Sequence, residues 1–392
     1  MGLLEKIFGK NPQPQKGNDG FFTTLNAYTP AFTTWGGQIY ESDLVRSAIH
    51  TRAVHISKLS VEIHGTAKPK LRAKLSLAPN QWQSWSQYLY RTSTILDVDN
   101  TAFIVPVMDD YMETSGIYTV RPTLCQIVQY NNTPWLRYQF STGEYASIEL
   151  NRCGILTKFQ LTDDFFGDSN AALNPTMEMI HIQTQGISEA VKSSATYRFY
   201  AQLTNFSNAT DLAEERKRFT RDNLQEGGGV LLFPNTYSNI KQIEPKPYVV
   251  DEKQMQAIKQ NVFDYFNVNE EVLQNKAYGD AWSAFYEGVP EWFSIQFGEV
   301  VTKMLFTERE RAMKNYVMAT ANRLQYLSTQ DKINFAKEMG ALGGVMIDEI
   351  REVFNLPPLP DGLGQKIPVR GEYYFLGENP IDETKGGTNG NT

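Results

Sequence analysis

Trp282-Ser283-Ala284-Phe285-Tyr286-Glu287-Gly288-Val289-Pro290 opens a long helical pattern, in which Trp282, Phe285, Val289, Trp292, Phe293, Phe297, Val300, Val301, Met304 and Leu305 recur at helical steps. Pro290 lies inside it. A proline there removes a backbone hydrogen bond and clashes with the preceding turn, so a kink is expected. Trp282, Phe285, Trp292 and Phe293 are more aromatic surface than one helix face of a lone subunit normally buries. Packing between neighbouring subunits accounts for them, and so does an ordinary core.

Upstream of this pattern comes a polar loop, Asn267 to Asp280, and before it a helix from Asp251, where Asp251 and Gln254 form a capping-box-like pair. Its apolar stripe is Met255, Ile258, Val262 and Phe266. Further back, Asn174-Pro175 combines an N-cap side chain with a proline at the first helical position. Met177, Ile180, Thr184, Ile187 and Val191 then form one stripe, predicting a helix to about Leu203. Between the two helices, 205–247 reads as an insert: a charged helix from Asp211 to about Asn223, Gly227-Gly228-Gly229, and strands at Val230–Phe233 and Ile240–Ile243. Two long helices bracketing a small α/β insert form a stalk with a head.

The first half reads as mixed α/β. Ser42 is placed to cap a helix bearing Val45, Ala48, Ile49, Arg52, Ala53 and Ile56, with Arg52 contributing its stem. A strand follows at Val61–His64, and Pro79-Asn80 precedes a helix carrying Trp82, Trp85, Tyr88, Leu89, Thr92 and Leu96. Alternation marks strands at 102–107, 135–140 and 155–159, with turns at Asn131-Asn132 and Thr142-Gly143. Downstream, Tyr316–Ala319 reads as one more strand, followed by helices at about 329–339 and 346–355. Residues 1–20 and 377–392 are expected to be a flexible arm and a disordered tail.

The 392 residues carry 37 basic and 44 acidic side chains, net −7, which disfavours a protein that lives by gripping phosphates in a sequence-specific way. Cys125 and Cys153 cannot make a disulfide framework and read as free, buried thiols. No apolar run reaches the ~18 residues of a membrane span, and Met1–Phe8 lacks a signal-peptide core, so a cytosolic product is expected. There is no phosphate loop, GxGxxG, HExxH, GxSxG or CxxC. His50 and His55, five apart, share a helix face poorly, so no metal pair is expected. Cys153 with His181, or the acidic pairs Asp163-Asp164 and Glu270-Glu271, would be the only footing for a hydrolase. These absences favour a structural protein without catalytic residues, cofactor or metal.

From about residue 40 to 375 the chain resembles bacteriophage portal proteins of the HK97-like family. Leu44 to Leu59 is similar to that family's first helix running into a strand, and Ala78-Pro79-Asn80 with Trp85–Leu96 and Asp99-Asn100-Thr101-Ala102-Phe103 resembles its Pro-Asn, helix, Gly-Asn-Ala-Tyr pattern, with Asp99 in place of glycine. Phe263 to Leu273 is similar to its Phe-Gly-Val-Pro segment, with Asn267 and Asn269 for glycine and proline. Trp282 to Pro290 matches the start of its kinked helix, and Asp348-Glu349-Ile350-Arg351 with Leu356-Pro357-Pro358-Leu359 its C-terminal signature.

The resemblance implies an α+β subunit with an α/β wing, a long-helix stem, a small α/β clip, a kinked tunnel helix and a short helical crown, assembling into a ring. The corresponding ranges are 21–174 for the first part of the wing, 175–204 and 251–267 for the stem, and 205–250 for the clip. The tunnel loop would be 268–281, the kinked helix and wing return strand 282–327, and the crown 328–376. A ring of twelve at one capsid vertex would pass double-stranded DNA non-specifically. It would dock the large terminase and a head-tail adaptor, and contact the major capsid and scaffolding proteins. Asn275, Lys276 and Tyr278 would face the DNA, and Glu214, Glu215, Arg216, Arg218 and Arg221 would form the clip docking surface. Trp282, Phe285, Trp292 and Phe293 would pack between subunits.

Overall fold

A computed structural model describes residues 23–27, 39–109, 111, 113–139, 145–194, 198–203, 213–214, 217, 237–243, 252–277, 279–320, 329–354 and 356–368. In chain order its principal elements begin with β1 (Thr23–Ala27), α1 (Asp43–Ile56), β2 (Ser60–His64), α2 (Pro69–Leu77) and α3 (Trp85–Asp99). The strands β3 (Thr101–Met108), β4 (Thr114–Val120), β5 (Cys125–Tyr130), β6 (Thr133–Gln139), β7 (Tyr145–Glu149) and β8 (Gly154–Thr157) follow. Next come α4 (Asn174–Ser194), β9 (Arg198–Leu203), β10 (Tyr237–Ile243), α5 (Glu252–Tyr265), α6 (Glu270–Leu273) and α7 (Asp280–Tyr286). A π-helical turn at Glu287–Glu291 leads into α8 (Trp292–Leu305), then α9 (Glu308–Ala312), β11 (Tyr316–Thr320), α10 (Thr329–Ala341) and α11 (Ile347–Val353).

The chain forms two compact units, Met1–Asn174 with Asn261–Thr392, and Pro175–Gln260. In the first, three sheets share the work. β3 is buried along its whole length between β4 and β8, all antiparallel. The meander β1-β5-β6-β7 packs beside it, its Asn131-Asn132 turn held at φ 47° and 58°, the left-handed pair a tight hairpin demands. Phe103, Val105, Ile127, Leu136 and Phe166 fill the core between them, with both cysteines free inside it. β2 pairs with β11, joining residues some 250 apart in sequence through Val61↔Ala319 and Ile63↔Val317.

Several expectations change. Ser42 stands at the N-cap of α1, but its side chain makes no capping bond; Asp43 Oδ1 instead accepts from the Leu44 N–H at 2.8 Å. α3 begins at Trp85, not near Trp82, because Ser84 and Gln87 form a capping box while the Asn80 side chain accepts from the Trp82 and Gln83 amides in the turn before it. α2 was not anticipated: Pro69 starts it and Leu71 and Leu75 are its buried face.

α4 starts beside Pro175 as expected, but Asn174 is itself helical (φ −52°, ψ −45°) and continues from the 3-10 turn Asn170–Leu173 instead of standing as an extended N-cap. The helix ends at Ser194 and does not reach Leu203. Arg198–Leu203 is a strand paired antiparallel with β10, which extends the expected 240–243 strand to Tyr237. The aromatic, alternating Arg198-Phe199-Tyr200 favours a pleated ladder over continued helix. Of the apolar stripe on α4, Met177 is buried, whereas Ile187 and Val191 are exposed by 39% and 63%. The expected arm at 1–20, the turn at Thr142-Gly143, the Gly227-Gly228-Gly229 run, the 230–233 strand and the tail at 377–392 lie outside the described residues. So does most of the charged helix at 211–223, of which Ala213, Glu214 and Lys217 are helical.

Candidate functional site

The expected polar loop is partly ordered by its own sequence. Asn269 caps α6 by accepting from the Val272 N–H at 2.8 Å, and Val272 is buried. After α6 the chain turns on Asn275 at φ 57°, with the Lys276 and Ala277 amides both donating to the Glu271 carbonyl at 2.7 and 3.1 Å. Asn275 and Lys276 are exposed. Lys276 Nζ donates to Gln274 Oε1 at 2.8 Å, and Gln274 Nε2 to Glu270 Oε1 at 2.9 Å. The loop closes at Gly279, whose φ of 57° and open surroundings suit a residue without Cβ.

Both roots of this loop are held by one face of α1. At the first root, Arg52 donates from Nη1 to the Phe266 carbonyl and from Nε to Asp97 Oδ2 at 2.8 Å. Lys158 Nζ donates to Asp97 Oδ1 at 3.1 Å and lies over the Phe159 and Phe266 rings. Burial alone would raise the Asp97 carboxyl; the adjoining Arg52 and Lys158 charges and hydrogen bonds outweigh it and hold the group below its ordinary value. Burial lowers Lys158. Asn170 completes the cluster, donating to the Asp97 and Val98 carbonyls at 3.0 and 2.9 Å while its Oδ1 accepts from Asn100 and from the Tyr265 hydroxyl at 2.7 and 2.8 Å.

At the second root, His55, one turn beyond Arg52, meets Trp282 and Phe285 edge-on at centroid distances of 4.8 and 5.4 Å. Burial, with Lys58 nearby, lowers its pKa to about 4, so the ring is neutral at pH 7. The two signature segments then touch. A Cβ on Gly288 in the π-turn would lie 2.6 Å from Asn267 Nδ2. The kink expected at Pro290 is this π-turn, which takes up the missing N–H by shifting the hydrogen-bond step.

The other candidates fall out as follows. Phe285 and Phe293 are buried by the chain itself, at 5% and 1% exposure, so their burial needs no second subunit; Trp282 is half-buried and Trp292 exposed by 37%. Glu214 is exposed, while Glu215, Arg216, Arg218, Arg221 and Tyr278 lie outside the described residues. Cys153 sits in the sheet core, where burial pushes its thiol far up and keeps it protonated; His181 is on an exposed part of α4. Asp163 Oδ1 is taken by the Phe165 and Phe166 amides at 2.7 and 3.0 Å. Glu270 and Glu271 open α6, where a helix start favours acids. Among the described residues no group of three His, Cys, Asp or Glu side chains could hold a metal ion, and no helix is long and apolar enough to cross a membrane.

Sequence reasoning missed the α1 anchors and their partners Asp97, Lys158 and Asn170. Arg52 inside an apolar stripe was the one visible signal.

The family profile described as Phage portal protein matches residues 44–355. Among solved structures, a chain of the virion of a native gene transfer agent (GTA) particle superposes with a TM-score of 0.54 at 15% identity, covering 85% of this chain and 97% of that one. Chains from the neck of the empty GTA particle computed with C6 symmetry and of the native particle computed with C12 symmetry each give 0.53 at 14% identity, with the same coverage. At such identities these likenesses show the fold. No curated protein matches the sequence.

Proposed function

The chain belongs to the phage portal protein family, and we propose that it forms a ring of twelve copies at one capsid vertex, through which duplex DNA enters and leaves. The observation that carries this reading is the family match, which runs from α1 to the end of α11 and takes in both loop roots. The C12 and C6 symmetries of the matched necks belong to those particles and support a closed ring here. So do the exposed apolar residues Ile187 and Val191 along α4, which neighbouring stems would cover.

In this reading 21–174 is the first part of the wing, α4 and α5 lie in the stem, 205–250 is the clip, 268–281 the tunnel loop and 328–376 the crown. Lys276 is the single base between residues 264 and 299, among seven acids. That balance suits a sliding channel, because each neutralised phosphate adds to a sequence-independent grip. Asn275, Lys276 and Tyr278 face the DNA, and the clip residues Glu214, Glu215, Arg216, Arg218 and Arg221 dock the terminase and later the adaptor. The scaffolding and major capsid proteins meet the ring from the head side. The family is a structural one, and the chain supplies no catalysis of its own; a separate motor hydrolyses ATP.

Negative-stain electron microscopy with native mass spectrometry tests this. The expected result is rings with a central hole of about 20 Å or more, since the major groove of the duplex alone is ~12 Å wide. A compact dimer with a closed cleft at every concentration would overturn it.

A further inference from the structure

Charge is unevenly spread over this acidic chain. Residues 58–74 and 303–314 together hold nine bases and three acids, formally +6, leaving −13 on the rest. The fold joins these two segments. β2 pairs with β11, the Ala67 N–H donates to Asn315 Oδ1 at 2.7 Å, and Lys68 Nζ lies 3.6 Å from Glu310 Oε2. Leu71 and Leu75 turn α2 so that Lys70, Arg72 and Lys74 are exposed; Arg309, Arg311 and Lys314 are exposed beside them. Lys74 approaches Asp109 at 3.6 Å, whereas Lys70, Arg72, Arg309, Arg311 and Lys314 make no ion pair among the described residues.

The patch stands at the far end of the helical arm from the loop. Lys68 Nζ donates to the Leu305 carbonyl at the C-terminus of α8, while the acid-rich loop precedes α7 at the other end. The arm from Asp280 to Leu305 has a contour length of about 39 Å at ~1.5 Å per residue. On the ring reading above, this cluster at the opposite end of the arm from the loop belongs to the wing and not to the channel wall that the loop lines.

We infer that the exposed bases of α2 and of α9 with the turn after it, through Lys314, form a second, sequence-independent contact for the backbone of double-stranded DNA, outside the channel. Charge complementarity selects the occupant. Duplex DNA carries one charge per ~1.7 Å of axis, a dense row of anions that these exposed lysine and arginine heads match in sign. The acidic remainder of the chain would repel the same duplex, so contact is confined to this corner.

The test is binding of the full chain to a fluorescent 30-base-pair duplex of arbitrary sequence, by anisotropy, from about 50 to 200 mM salt. Lys70→Gln/Arg72→Gln/Arg309→Gln/Lys314→Gln should weaken binding at least tenfold at the lowest salt and reduce the slope of log K against log salt by about 3 to 4, since each phosphate that the variant no longer neutralises accounts for ~0.9. A control that removes as many charges elsewhere, Arg46→Gln/Arg152→Gln/Lys259→Gln/Lys337→Gln, should retain most of the affinity, and Lys276→Gln should change the slope by no more than about one. Equal losses in patch and control variants, or no salt-dependent binding by the unaltered chain, would overturn the inference. So would competition by polyglutamate as strong as by unlabelled duplex at equal charge, which would assign the patch to an acidic protein. Native mass on the same samples reads the ring separately, so a chain that binds DNA through the patch but never closes a ring would sink the portal reading and leave the DNA contact standing.

Discussion

His55 is held neutral by its surroundings, and the sign of its pH effect follows. Its pKa falls from an ordinary 6.5 to about 4 in the folded chain, chiefly through burial, so between those values the unfolded chain binds the proton more readily. Its contribution is therefore fully present above pH 6.5 and is lost as the pH falls toward 4. Over that window it amounts to about 2 kcal/mol, after allowing for the partly wet setting of the ring. His55→Phe keeps the edge contacts with Trp282 and Phe285 but cannot take a proton. Urea unfolding of both proteins at pH 7 and pH 4.5 should show the variant gaining on the parent by that amount at the lower pH; a difference that stays flat would mean that His55 is not held neutral. Asp97 poses the complementary case. Asp97→Asn leaves Arg52 and Lys158 buried without their anion, and should cost about 3 to 5 kcal/mol in the same assay at pH 7. Replacing all three groups, Arg52→Met/Asp97→Leu/Lys158→Met, should recover most of it, because removing a whole buried ionic cluster is far milder than breaking it.

At the scale of elements, the packing of α8 on β11 turns on one residue without a side chain. A Cβ on Gly298 would lie 2.9 Å from the Val317 carbonyl oxygen, a backbone atom that cannot swing aside. Thr302 secures the same strand by accepting from the Val317 N–H at 2.8 Å. In an exposed helix Gly→Ala stabilises by up to about 1 kcal/mol; Gly298→Ala should instead destabilise by about 1 to 3 kcal/mol through overpacking, read as a fall in the urea midpoint at unchanged slope. A constraint of this kind comes from a partner distant in the chain, and that separates what is legible in the sequence from what is not. Periodicity shows the stripe from Trp282 to Leu305 and the break at Pro290, because both are local. It cannot show that the break becomes a π-turn, since this goes with Gly288 meeting Asn267, twenty-one residues earlier. α2 escapes notice because Lys68-Pro69-Lys70 looks like a basic loop and only the Leu71–Leu75 pair marks a face. The end of α4 is misplaced by periodicity because the ladder that claims Arg198–Leu203 is completed by a strand more than thirty residues downstream. At the candidate site, Lys276 and the aromatic start of α7 are visible, whereas the α1 anchors that fix both roots are contacts across some 200 residues of sequence.

For the whole molecule, the adjacent aromatics Trp292 and Phe293 separate folding from assembly. Phe293 is 1% exposed and stacks on Phe297 at 5.8 Å, so the subunit consumes its surface alone. Trp292 is 37% exposed and Ile295, three residues along the same helix face, 57%. A ring closes through a heterologous contact in which two different faces of one chain meet, and exposed apolar residues with no cover in the subunit are what such a contact uses. Phe293→Ala should therefore unfold the chain more easily, by about 3 to 5 kcal/mol, in monomer and ring alike. Trp292→Ala should cost the subunit less, about 1 to 2 kcal/mol of urea stability for its partly covered ring, while shifting native mass from ring toward monomer at equal concentration. If Trp292→Ala assembles as the parent does, this stretch of α8 faces solvent in the ring, and the exposed α4 residues Ile187 and Val191 become the surfaces that must hold neighbouring copies together.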